Sequence, residues 1–325
     1  KRVINPKIKN YGGNTMKSIN SNFDLPNQPE YFKNFWDYAR GREDSDAFLE
    51  AGKKPSGSYV LPTSSATKYD EALKRESLFR TIGTYVYSHS GPSKLLGKHT
   101  TDAAAWVPDG EAIPIYDGIN DFTEFAMEDH KLAAIMRMDA SFLQDNPHVF
   151  GDYFIKRMAR CFGSAESDGF INGTGVDMPT GILSENGAAV GVTASGITFD
   201  DVIRLYFSVD KQFRQRGAWL MNDDTALAIR LLKDKDGNPI WNHANDMILG
   251  KPVYIDNHMP SAGAGAKPIA FGDFSFYWIV EREPLTVRVL KEKFFEAGQI
   301  GYLAYEFLDG KLIQPDAVKV LQITA

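Results

Sequence analysis

The chain has 325 residues, 43% of them hydrophobic and 24% charged, which is globular composition with room for two ordinary domains or one domain with large excursions. Its formal net charge of -6 argues against general affinity for nucleic acid, which needs a positive excess. The one cysteine, Cys161, rules out an intrachain disulfide and a multi-cysteine metal site and suits a reducing compartment, and no stretch approaches the roughly 18 apolar residues of a bilayer span.

Residues 1–23 carry Lys1, Arg2, Lys7, Lys9 and Lys17 and no acid, interrupted by Gly, Asn and Ser. This reads as an extended arm with little core of its own, solvated or draped on a neighbouring copy. Lys1 in first place is read as the product of proteolysis, with a longer encoded N-terminus. Residues 29–51 are expected to be helical, with Tyr31, Phe32, Phe35, Trp36 and Ala39 near helical spacing. Deleting residues 1–55 is therefore expected to leave a folded core. A second helix is expected over 68–82, ended by Gly83.

Residues 84–120 are rich in Gly, Pro, Ser and Asp, and from Asp121 to Met138 the pattern turns to strand, with Phe122, Glu124, Ala126 and Glu128 on one side of a two-residue period. A long loop returning through a long strand predicts a projecting two-stranded flap. Such a ribbon is marginal alone in water, so Phe122, Phe125, Ile135 and Met136 need a partner surface.

The clearest predicted element is a long helix opened by Asn146 as cap and Pro147 at its first position. Phe150, Phe154, Met158, Cys161, Phe162 and Ala165 make its apolar stripe, to about Glu166, roughly 30 Å of helix. Lys156, Arg157 and Arg160 lie off the stripe as a solvated face. The glycines of Asn172–Leu183 predict a tight, mobile loop. Thr198 with Asp201 caps a helix through Val202, Leu205, Tyr206 and Val209. Then come a strand at Trp219–Asn222, a helix at Asp224–Asp234, a turn at Asp236-Gly237, and strands at Val253–Ile255 and Ile269–Phe271. Phe276–Val280 and Leu285–Leu290 alternate like a hairpin, and strands Ile300–Phe307 and Ala317–Ile323 flank a turn at Asp309-Gly310.

Enzyme signatures fail along the chain. No nucleophile elbow or phosphate loop occurs, and Gly173-Thr-Gly175 follows a predicted helix where a dinucleotide fingerprint needs a strand. His89, His99, His130, His148, His243 and His258 form no pair at metal-ligand spacing, and Cys161 on the apolar stripe reads as core.

Several segments, in order, resemble the major capsid proteins of tailed bacteriophages with the Hong Kong 97-type fold. They are Gly57-Ser-Tyr-Val-Leu-Pro62, Ala104-Ala-Trp-Val-Pro-Asp-Gly-Glu-Ala-Ile-Pro114, the helix opened by Pro147, and Phe170-Ile-Asn-Gly-Thr-Gly closing with Pro179-Thr-Gly-Ile-Leu183. Trp219-Leu-Met-Asn with Thr225, Leu232-Lys-Asp-Lys-Asp-Gly237, Leu249-Gly-Lys-Pro-Val253, Met259-Pro260 and Phe271-Gly-Asp273 complete the set. Each motif is weak alone; their order and spacing together are specific. Glu306 departs from relatives, which often carry arginine nearby, and puts a local salt bridge in question.

The resemblance implies an α+β fold with an N-terminal arm (1–60), an extended loop (84–138), a peripheral domain with a long spine helix (139–189 and 276–325) and an axial domain (190–275). It implies a structural subunit that is not an enzyme and takes no cofactor or metal. Copies would form pentamers and hexamers that enclose double-stranded DNA without sequence-specific binding, and the negative charge would limit sticking to that DNA. Portal and decoration or scaffold proteins are the other implied partners; no membrane is involved. The implied place is the virion, after assembly in the host cytoplasm. Tyr31, Phe35, Trp36, Trp106, Ile113, Phe122 and Phe125 are the expected inter-subunit contacts. Some relatives join subunits by a lysine–asparagine isopeptide bond with help from a glutamate. The matching positions here are Ile113, Ala297 and Ala304, and no lysine occurs between Lys98 and Lys131, so no cross-link is expected. The rivals are a cellular nanocompartment shell of the same fold and, from another class, a soluble α/β enzyme.

Overall fold

Local chemistry fixes the first α-helix of the computed structural model, which describes residues 25–41, 49, 52–87, 94–96, 106–108, 124–145, 149–233, 241 and 246–324. Pro29 opens helix α1 (Pro29–Ala39), where its missing N–H would have no partner, and Tyr31, Phe35, Trp36 and Ala39 form its buried stripe. The helix stops at Ala39, short of the expected 29–51, because Gly41 takes a left-handed turn at φ 82°.

After β1 (Tyr59–Val60) come α2 (Thr63–Glu76) and α3 (Phe79–Ile82). The helix expected over 68–82 starts earlier and breaks at Ser77, whose backbone is extended. Strands β2 (Thr84–Tyr87), β3 (Lys94–Leu96), β4 (Glu124–Ala126) and β5 (His130–Asp139) lead to α4 (Ala140–Asp145) and the long α5 (Phe150–Asn172). Then follow β6 (Ala189–Ala194), α6 (Phe199–Ser208), α7 (Lys211–Arg214), β7 (Ala218–Met221) and α8 (Asp223–Arg230). The chain closes with β8 (Met247–Ile248), β9 (Lys251–Ile255), β10 (Ile269–Gly272), β11 (Tyr277–Leu290), β12 (Gln299–Leu312) and β13 (Val318–Ile323).

One sheet runs β1-β11-β12-β5, with β2 parallel to β11 at the far end of the same edge. A second, six-stranded sheet runs β6-β13-β10-β7-β9-β8, and β3 with β4 make a separate two-stranded ribbon. Among the described residues of the expected flap over 84–138, β2 and β5 belong to the first sheet, and β3–β4 is a ribbon. β13, expected with the peripheral segment, is hydrogen-bonded into the six-stranded sheet.

Helix α5 joins the two sheets. Phe150, Phe154, Met158 and Phe162 pack with α1, α2 and the inner faces of β11 and β12, including Val287 and Tyr302. At its other end Phe170 and Ile171 meet Ala218, Leu220, Ala270, Val318 and Val320 on one face of the six-stranded sheet. Trp219, Met221, Ile269, Phe271 and Leu321 point the other way, under α6 and α8. All four residues of β7 are buried because both faces of the sheet are covered, each taking alternate side chains.

The α5 reading needs three corrections. The helix begins at Phe150 with Val149 at its cap position, while Asn146–His148 lie outside the described residues. It runs past Glu166 to Asn172. Cys161 and Ala165 are exposed, because the helix buries Ala159, Gly163, Glu166 and Ser167 instead. At Gly163 a side chain would sit 2.6 Å from Glu76 Cβ, so this face is pressed against α2.

The C-terminal strands also differ from expectation. β11 is one strand and not a hairpin; Pro284 has no N–H to give, and the register shifts between Glu281 and Thr286 without ending the strand. β12 runs straight through Asp309-Gly310, which pair with Val280 and Ile279. Gly310 is needed for packing, since a Cβ there would lie 2.9 Å from the Phe170 ring and 2.7 Å from the Tyr277 hydroxyl. The loop after α5 is pinned, with Ile182 N–H donating to Phe170 O at 2.9 Å and Thr180 N–H to Gly310 O at 2.9 Å. α8 ends at Arg230, before the expected Asp234; Asp236-Gly237 lie outside the described residues.

Candidate functional site

The contact residues expected from sequence separate into three groups. Tyr31, Phe35 and Trp36 are buried in the chain's own core. Tyr31 Oη donates to Val60 O at 2.8 Å, Trp36 Nε1 to Ser65 Oγ at 3.2 Å, and the Trp36 ring packs edge-on against Phe150 at 5.7 Å. They dock on α5 of the same molecule, so they are core and not a surface for a neighbour. Trp106 is fully exposed. The Phe125 backbone pairs with Leu95 in the ribbon, its side chain being outside the described residues, as are Ile113 and Phe122 entirely.

Of the other flap residues, Met136 packs inward and Ile135 is 50% exposed on β5. Exposed apolar groups that sequence reading missed include Phe207 at 64%, Leu227 at 59% and Leu231 at 69% on the six-stranded unit, and Phe295 at 81% between β11 and β12. Phe207 did carry a signal, since it falls off the Val202–Leu205–Val209 stripe.

One arrangement has the order of a catalytic relay. Ser164 Oγ lies 3.2 Å from His258 Nε2, and His258 Nδ1 lies 2.7 Å from Asp256 Oδ1. An acyl transfer also needs donors preset for the developing oxyanion. Ser164 sits inside α5, where backbone N–H groups are spent on the helix, and on an exposed face. These bonds, with Asn172 Nδ2 donating to His258 O at 2.9 Å, instead tie α5 to the loop after β9.

The densest electrostatics are buried. Arg80, on α3, donates from Nε to Glu166 Oε2 at 2.9 Å and from Nη2 to Glu166 Oε1 at 2.5 Å. Its Nη1 reaches Glu281 at 3.3 Å, and Tyr85 Oη donates to the same carboxylate at 2.5 Å. Glu306 completes the centre, fully buried, with Oε2 accepting from Tyr69 Oη at 3.2 Å and Oε1 lacking a donor. The arginine of this centre thus comes from α3, and its hydrogen bonds go to Glu166 and Glu281. Burial opposes the Arg80 charge, but Glu166 beside it holds the guanidinium ionised. Burial, then the Glu166 charge, push the Glu306 carboxyl well above the usual carboxylate range against the pull of Arg80. Burial also raises Glu281, offset by Arg80 and the Tyr85 bond. One cation among three carboxyls, closed to solvent, clamps α3, α5, β11 and β12 together.

Among the described residues no group of three or more His, Cys, Asp and Glu is placed to hold a metal ion, and no helix is long and apolar enough to cross a membrane. A cavity of about 450 Å³ opens between α1, α2 and α5, lined by Lys33, Arg40, Lys68 and Asp152 with Trp36 and Ile155. A second, of about 330 Å³, lies beside α8 and β9.

A sequence profile of the Phage capsid family matches residues 57–323. Among solved structures, the capsid of an empty GTA particle computed with C5 symmetry is similar, at 27% identity and a TM-score of 0.66, over 77% of this chain and 90% of that one. The capsid of the native GTA particle gives 27% identity and 0.64 over the same shares. Gordonia phage Cozz, at 11% identity, shares the fold with a TM-score of 0.56 over 77% of this chain and 87% of that one. No curated protein matches.

Proposed function

This chain belongs to the phage capsid family, and on that premise we propose that it is the shell-forming subunit of an icosahedral capsid, built from pentamers and hexamers and enclosing double-stranded DNA. The observation that carries this reading is the family match over 57–323, joined to a fold that superposes on 90% of a capsid chain at 27% identity. The surface supports it: apolar groups such as Trp106, Phe207 and Leu227 are offered to solvent, as expected of a subunit that buries them against copies of itself.

In this reading the six-stranded sheet with α6 and α8 is the axial part, and it includes β13. α5 with the first sheet is the peripheral part, and the β3–β4 ribbon with Trp106 belongs to the extended loop. The chain acts without catalysis. Its net charge of -6 suits a wall that must not adhere to its contents. Portal, decoration or scaffold proteins are its other partners, and its place is the virion after assembly in the host cytoplasm.

Sedimentation velocity and negative-stain microscopy of the purified full chain test the proposal. Rings and closed shells are expected. A protein that stays monomeric at high concentration under every assembly condition would overturn it.

A further inference from the structure

The six-stranded unit carries two unlike features at its two ends. At the β6–β13–β10 end, α6 presents Phe207, 64% exposed and turned away from the sheet. The ring is held in place: Tyr206 packs edge-on at 5.2 Å, and the Arg214 guanidinium lies 4.7 Å over its centre, fixed by a 3.0 Å bond from Nε to Val209 O. Arg204 stands beside it on the outer face of α6, its side chain 71% exposed and 3.6 Å from Asp201. This is a rigid aromatic knob with a cationic collar.

At the β9–β8 end the cavity of about 330 Å³ is lined by Ala226, Leu227, Trp241, Val253 and Ile255. That is the size of a small ligand site, with room for a phenyl ring. Asp223, Asp246 and Arg230 also line it; Arg230 is paired with Asp246 and lies 4.7 Å over the Trp241 ring. The lining is mostly apolar, with two carboxylates to one guanidinium.

We propose that Phe207 of one copy seats in the cavity beside α8 of the next, with Arg204 and Arg214 facing Asp223 and Asp246. The inference rests on the shell-subunit reading and names the contact that closes its rings. Two different patches on one molecule make a head-to-tail contact, which generates a ring when the rotation closes. The match is one of shape and charge: an aromatic with arginine at its edge is the usual energetic centre of an interface, and the opposed charges set register. Phe207 against Phe207 of a second copy would put like charges together.

The test uses Phe207→Asp and Leu227→Asp in the full chain. Both residues are exposed, so native circular dichroism and an unchanged melt are expected. Under conditions where the unaltered chain forms rings, each variant alone should sediment as a monomer. Their equimolar mixture keeps one intact knob and one intact cavity, so it should give heterodimers that grow no further. Phe207→Ala, which adds no charge, should weaken assembly by about tenfold or more. Ring formation by either natively folded aspartate variant, or a mixture holding no heterodimer, overturns the contact. Failure of the unaltered chain to assemble overturns the shell reading, and is seen separately.

Discussion

Burial, then the Glu166 charge, raise the Glu306 carboxyl well above the range near pH 4 in which the unfolded chain gives up its proton. Its folded pKa is raised, so the group costs nothing below the unfolded value, and the native state loses stability as pH climbs toward the folded value. Glu306→Gln keeps an acceptor for Tyr69 and removes the ionisable proton. The variant should melt at a higher temperature than the parent at pH 8, and at the same temperature near pH 4. Thermal melts across that range decide it; an equal difference at both ends means the gain is packing and not ionisation. Trp36 and Trp106 make a second comparison. Trp36 of α1 is buried against α5, and Trp106 is fully exposed. Trp36→Ala should lose about 3–5 kcal/mol in denaturant titration, as large-to-small core changes do. Trp106→Ala should leave the midpoint unchanged.

Among the elements, α1 changes the account of the N-terminal region. Its stripe fills the first core, so removing residues 1–55 takes Tyr31, Phe35, Trp36 and Leu49 out of it. The truncated chain should lose its cooperative melt, against the sequence expectation that a folded core remains. Helix α5 carries the second prediction. Ser164, His258 and Asp256 copy the spacing of a relay, yet a serine inside a helix has no free backbone donors beside it. A fluorophosphonate probe should not label the chain; a labelled Ser164 in the peptide map would revive the enzyme reading. Strand β11 shows how one residue misleads: Pro284 breaks the alternation in the sequence, while the β12 ladder on both sides carries the strand through it.

For the whole molecule, the shell-subunit proposal carries the expectation that stability comes from surfaces and not from covalent links. Ala304 is buried in β12, and no lysine lies between Lys98 and Lys131 to act as a nucleophile near Ile113. Particles boiled in SDS with reductant should give a single band near 36.2 kDa. A ladder of multimers would show another pair of groups joined. In a non-covalent shell a few central residues carry most of an interface's energy, and the proposed contact makes Phe207 one of them.

What the sequence determined by itself was mostly local. The Thr198 cap is as expected, its hydroxyl accepting from Asp201 N–H at 3.3 Å, because capping spans only three residues. The long helix was legible from Phe150, Phe154, Met158 and Phe162, and the ordered glycine and proline motifs were enough to place the family. Tertiary structure decided what depends on partners far along the chain. Cys161 could not be told from core by spacing alone, since α5 turns its buried face toward Gly163, Glu166 and Ser167 where α2 and α3 press on it. Gly310 read as a turn because a glycine needed for a close ring contact looks the same in sequence as one needed for a bend. Glu306 put a local salt bridge in question, because the cation that acts on it, Arg80, lies more than two hundred residues earlier and comes near only once α3, α5 and β12 have packed.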